Sequence, residues 1–123
     1  MAKFQIIKDF DNKYHFNLKL KSGEIVLRSS DRTTAKITCE KQIDLVRANS
    51  KFAHRFSRQS DEQGSYFILK DADNQVLGRS GYYTYWLDME RSIAAIRSYT
   101  HDAELEDLSS LTVKESDLDL VAE

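Results

Sequence analysis

Along Tyr14–Lys21, apolar Tyr14, Phe16, Leu18 and Leu20 alternate with polar His15, Asn17, Lys19 and Lys21. Period two over this length predicts a strand with one buried face. Lys3–Lys8 and Glu24–Ser29 are also rich in β-formers. Asp11-Asn12 and Ser22-Gly23 fall between these segments, where tight turns need residues that accept positive φ. The three strands read as an antiparallel meander. The period then changes: Cys39, Ile43 and Val46 recur at spacings of four and three, one face of a helix. Thr33 or Thr34 is the expected N-cap.

The same succession of periods follows a second time. Strands are expected near Arg55–Gln59, Ser65–Lys70 and Gln75–Ser80, with turns at Glu62-Gln63-Gly64 and Asp73-Asn74-Gln75. Trp86, Met89, Ile93 and Ile96 supply the helical stripe, and Thr84 the cap. The identities agree with the periods. Phe16, Leu18, Lys19, Arg28, Ser29 and Thr33 match Phe67, Leu69, Lys70, Arg79, Ser80 and Thr84 at an offset of 51. After a one-residue slip, Glu40, Ile43 and Arg47 match Glu90, Ile93 and Arg97 at an offset of 50. The chain is therefore read as a tandem duplication, with repeats over 1–52 and 53–101, Asn49–His54 connecting them, and a tail over 102–123. A single meander of this size buries one face only and is seldom stable alone. The expected fold is α+β: two βββα repeats packed as a pseudo-twofold pair.

These elements resemble the YegP-like family, small and mostly bacterial proteins with one or two copies of a short domain. The resemblance rests on Phe-x-Leu-Lys, a Gly or Asn turn, an Arg-Ser pair closing the third strand, and a helix ending in Ile-x-x-x-Arg. It covers about 95 of the 123 residues, both copies but not the tail. Ser80-Gly81-Tyr82-Tyr83 keeps a Ser-x-x-Tyr element that Ser29-Ser30-Asp31-Arg32 lacks. The resemblance implies the paired βββα repeats and implies little about activity.

Charge divides the chain differently from the repeat. The formal total is −2. Residues 1–52 carry 11 bases and six acids, 53–101 carry six of each, and 102–123 carry eight acids and one base. The three segments are thus +5, neutral and −7. Lys13, Lys19, Lys21, Arg28, Lys36 and Lys41 are a possible basic patch for a polyanion, whose binding would weaken with salt. In the tail, Leu105, Leu108 and Leu111 at spacing three suggest a short amphipathic helix, and Leu118–Val121 a docking element. The tail is read as a disordered solubilising segment, as a segment folded onto the basic first repeat, or as a partner-binding peptide.

Candidate chemistry is sparse. His15, His54 and His101 share no metal-ligand spacing, so no metal or cofactor is expected. Cys39 corresponds to Met89 on an apolar helix face, which suits a core residue better than a nucleophile. No glycine loop cradles a phosphate, and the acids at the turns lack apolar neighbours. The expectation is a non-catalytic binding module with an unidentified protein partner, or alternatively a nucleic-acid-binding protein. The contact surface is sought at Tyr82, Tyr85, Arg79, Lys19, Lys21 and Arg28, while Tyr83 and Trp86 are expected to anchor the second helix. Short apolar runs give no membrane span. One cysteine and no leader-like opening favour a cytoplasmic setting.

Overall fold

Each stretch of period-two alternation is a strand in the computed structural model, which describes residues 1–110. The first three strands are β1 (Ala2–Lys8), β2 (Tyr14–Leu20) and β3 (Ile25–Ser29), followed by helix α1 (Lys36–Asn49). A 3-10 turn at Ala53–Arg55 leads into β4 (Phe56–Asp61), β5 (Gly64–Lys70), β6 (Val76–Arg79) and helix α2 (Trp86–Tyr99). A last strand, β7 (Glu104–Asp107), closes the described chain. The expected turns take positive φ at Asn12 (61°), Gly23 (97°), Gly64 (139°) and Asn74 (68°), conformations that Gly and Asn tolerate.

All seven strands form one sheet, ordered β4-β5-β6-β3-β2-β1-β7. The meanders β1-β2-β3 and β4-β5-β6 meet edge to edge through β3 and β6, with Arg28 opposite Arg79 and Ser29 opposite Gly78. The duplicated Arg-Ser pair has a structural reason at this seam. The Ser29 hydroxyl accepts the Phe16 N–H at 3.1 Å, and the Ser80 hydroxyl accepts the Phe67 N–H at 2.9 Å. Each serine thus satisfies a backbone donor that would otherwise stay unpaired in a buried place.

One hydrophobic cluster runs beneath the whole sheet. It joins Phe4, Phe16, Leu18, Val26 and Leu27 to Phe67 and Leu69, and holds Cys39, Ile43 and Val46 of α1 with Met89, Ile93 and Ile96 of α2. Phe4 meets Phe16 edge-on at 5.8 Å, and Phe56 meets Phe67 the same way at 5.8 Å. The helices are cross-tied by their last arginines. Arg47 donates to the His101 carbonyl at 3.3 Å and Arg97 to the Lys51 carbonyl at 3.4 Å, each just beyond the other helix. Both helices cover the phenylalanine face, and among the described residues no helix covers the opposite face.

Four expectations need correction. The threonines cap neither helix: Ala35 and Tyr85 hold the cap positions without a side-chain hydrogen bond. Thr33 is committed elsewhere, because its backbone bridges Tyr14 and its hydroxyl donates to the Ala35 carbonyl. The slip between the copies also falls earlier. Thr33 and Tyr83 make the corresponding backbone bridges, to Tyr14 and Ser65, so Thr84 corresponds to Thr34. Trp86 is not an anchor but 66% exposed; helical spacing fixes a face, not how far the sheet reaches beneath it. Tyr83 does anchor, stacked on Phe67 at 6.5 Å with its hydroxyl on Ser92.

The start of the tail also differs from expectation. Glu104–Asp107 is a strand parallel to β1, not the first part of a helix. A spacing of three over so few residues does not distinguish the two, and the outer edge of β1 offers hydrogen bonds that a local pattern cannot reveal. Leu111 and Leu118–Val121 lie outside the described residues.

Candidate functional site

On the helix-free face, the strand registers line up one transverse row. It runs Ser57, Ile68, Arg79, Arg28, Asn17, Gln5 and Glu106, one residue from each strand in sheet order. Arg28 and Arg79 occupy its centre, opposite one another and both exposed. Like charges directly opposed across a strand pair are unfavourable. Yet among the described residues neither guanidinium has a carboxylate within ion-pair distance, although six other pairs form. A shallow depression of about 450 Å³ lies between them, with Ile68 and Val76 in its lining.

Aromatic rings flank only one of the two arginines. The Arg79 guanidinium lies 4.2 Å over the Tyr66 ring, and Tyr82 stands edge-on to Tyr66 at 5.4 Å. Arg79 Nη2 donates to the Tyr82 hydroxyl at 3.2 Å, and that hydroxyl donates to Asp61 at 2.8 Å. Asp61 also accepts the Gln63 N–H of its turn. That backbone contact first, and then Tyr82, hold its carboxyl below the usual range. The first repeat builds the same clamp from other residues: Asp9 accepts the Asp11 N–H, and Arg32 donates to it at 2.8 Å. Arg32 therefore stands where Tyr82 stands, and His15 where Tyr66 stands.

Sequence reasoning missed Tyr66. The signal was present, since Tyr66, Ile68 and Lys70 hold the phase of β5 opposite Phe67 and Leu69. The other expected residues separate. Arg28, Arg79 and Tyr82 come together, with Tyr82 41% exposed. Lys19 shares the helix-free face, opposite Lys3 of β1. Lys21 follows at the strand end, where it lines a second depression, of about 460 Å³, with Lys3, Lys19 and Glu104. Tyr85, at the cap of α2, is 68% exposed and takes no part in the hydrogen bonds and ring contacts that join Arg79, Tyr66, Tyr82 and Asp61. The six-residue basic patch is not one surface, because Lys36 and Lys41 lie on α1, across the sheet from Arg28.

Cys39 is buried in the core, and burial pushes its thiol up to about 11. His15 Nδ1 is buried without a hydrogen-bond partner, and desolvation lowers the pKa of the ring. Among the described residues, no three His, Cys, Asp or Glu are grouped to hold a metal ion.

β7 brings acids to one margin of the basic face. Glu106 pairs with Lys3 at 3.1 Å and accepts from Gln5 at 2.9 Å. On the helix side, Lys36 donates to Asp107 at 2.7 Å. Lys36 and then Ser109 lower the Asp107 carboxyl from 3.8 to about 2. A depressed carboxylate stabilises the fold fully above its unfolded pKa, and that contribution fades as pH falls through the folded one. The β7 attachment is thus expected to weaken as pH drops from 3.8 towards about 2. A carbon-detected NMR titration of Asp107 checks this, and a midpoint at the ordinary carboxylate value would contradict it.

The family model for the domain of unknown function DUF1508 matches twice, over residues 9–56 and 61–107. The second match runs on through β7. The UPF0339 protein YegP of Escherichia coli K12 is 35% identical over 96 residues, spanning 77% of this chain and 86% of that protein. A UPF0339 protein of Pseudomonas aeruginosa is 34% identical over 109 residues, spanning 88% of this chain and 98% of its own length. The solution NMR structure of E. coli yegP, described as of unknown function, superposes with a TM-score of 0.80 at 32% identity, covering 88% and 93% of the two chains. A UPF0339 protein from Shewanella oneidensis shares the fold, with a TM-score of 0.82 at 24% identity over 89% and 92% of the chains.

Proposed function

The chain belongs to the DUF1508 family and carries two copies of its domain, and from that premise we propose that it is a non-catalytic binding module. Its two βββα repeats form a pseudo-twofold pair, and its binding surface is the helix-free face at their seam, which takes an anionic ligand.

The pairing of corresponding residues supports the pseudo-twofold. Arg28 and Arg79, equivalent in the repeat, face each other at the seam. The serine-to-phenylalanine amide bonds and the crossed Arg47 and Arg97 contacts also come in matched pairs. The single observation carrying the function is the opposed pair Arg28 and Arg79, exposed, without carboxylate partners among the described residues, on either side of a depression. An anion seated between them offsets their repulsion, and guanidinium geometry suits carboxylate or phosphate oxygens. Cys39, buried with a raised thiol pKa, is better suited to packing than to nucleophilic chemistry.

The test is a titration of the full chain with fluorescent linear polyphosphate at low and moderate salt. Arg28→Glu and Arg79→Glu are each expected to weaken binding by about tenfold and to flatten the salt dependence. Lys41→Glu on α1 makes the same change in net charge on the helix side and is expected to leave binding nearly intact. Equal losses in all three variants would show diffuse attraction and refute a seam site.

A further inference from the structure

We propose that the anion is the phosphodiester of a single-stranded nucleic acid, with one base stacked beside Arg79 in the second repeat. This rests on the anion-binding reading of the seam and adds the chemistry of the ligand.

The two halves of the face differ in a way that free phosphate or an acidic peptide does not require. The first repeat offers a backbone two cations, Lys19 and an Arg28 that has no aromatic ring beside it among the described residues. The second offers planar groups. Arg79 already sits over the Tyr66 ring, its Cζ 4.2 Å from the centroid, which leaves its outer surface as a platform for a base. The exposed ring of Tyr82 stands edge-on to Tyr66 beside it, held by its hydrogen bonds to Arg79 and Asp61. A preset ring and guanidinium lose little freedom when a base stacks on them.

Chain geometry agrees. Single strands bind by combining a positive track for the phosphates with aromatic or guanidinium planes for the bases. Here the track runs from Lys19 to Arg28, and the planes begin one strand further on, at Arg79. The first repeat places His15 and Arg32 where the second has Tyr66 and Tyr82, so it has no second stacking platform of the same kind. Stacking is therefore expected on one side of the seam only.

The experiment compares, by fluorescence anisotropy on the full chain, oligothymidylate, oligouridylate, an abasic deoxyribose strand of equal length, and poly-glutamate of equal charge. Either base-bearing strand is expected to bind about tenfold tighter than the abasic one, and poly-glutamate no tighter than the abasic strand. Tyr66→Leu is expected to bring the base-bearing strands down to the abasic affinity and to leave the abasic affinity unchanged. Equal binding of abasic and base-bearing strands overturns the nucleic-acid proposal while leaving anion binding at the seam standing. Tighter binding of poly-glutamate overturns it in favour of an acidic protein segment. Absence of binding by any polyanion overturns both readings. The comparison of natural and abasic strands needs only the unmodified chain, so it decides even if the Tyr66 variant does not fold.

Discussion

Replacing Phe67 by alanine is expected to cost about 3–5 kcal/mol and to lower the stability of the whole sheet, not of the second repeat alone. Phe67 is fully buried, edge-on to Phe56 at 5.8 Å and stacked with Tyr83 at 6.5 Å. Removing its ring leaves a void lined by groups from β4, β5 and the approach to α2. The cluster it belongs to is continuous across the seam, so the loss is shared by both halves. Phe16→Ala, at the equivalent place, is expected to act alike. Urea unfolding followed by circular dichroism should show one transition in each variant, and hydrogen exchange at Leu18 and Leu69 should accelerate together. Exchange that accelerates only in the mutated half would mean that the repeats unfold independently.

Gly78→Val is expected to destabilise by at least about 1–3 kcal/mol, and to do so by prising the seam apart. A Cβ at this position would lie 2.8 Å from Leu27 Cγ and 2.9 Å from the Arg28 carbonyl oxygen. The leucine side chain can turn away, but the carbonyl belongs to β3. The β3–β6 ladder rests on two register pairs, Arg28 with Arg79 and Ser29 with Gly78, so moving that carbonyl loosens the join itself. The repeat explains why glycine is needed. Gly78 corresponds to Leu27, and the crowded centre has room for one of the two side chains. Adding Leu27→Ala should recover part of the loss but not all, because the backbone clash remains. Full recovery in the double variant would locate the conflict in the side chain alone.

Much of this architecture was legible in the chain. The alternation of Tyr14 to Lys21 reports a half-buried strand because the side-chain period of a strand is two. Asn12, Gly23, Gly64 and Asn74 report turns because few residues accept positive φ. Repeat identities placed Arg28 and Arg79 as equivalents, and both lie in the candidate site. What escaped is non-local. Nothing in β3 or β6 says that their outer edges pair, and hence that the two arginines are neighbours. Leu105 between two glutamates fits a helix turn as well as a strand until the edge of β1 is known. Trp86 keeps helical spacing with Met89 but lies past the reach of the sheet. The basic patch failed for the same reason, since counting lysines along a chain does not separate the two sides of a sheet.

On the proposed reading, an anion seats between Arg28 and Arg79 on the helix-free face. An amide NMR titration of the full chain with linear polyphosphate tests it most directly. The largest shifts are expected along the transverse row through Asn17, Arg28, Arg79 and Ile68, with α1 and α2 nearly silent. Shifts concentrated on Lys36, Lys41 and the rest of α1, with the seam unmoved, would contradict it.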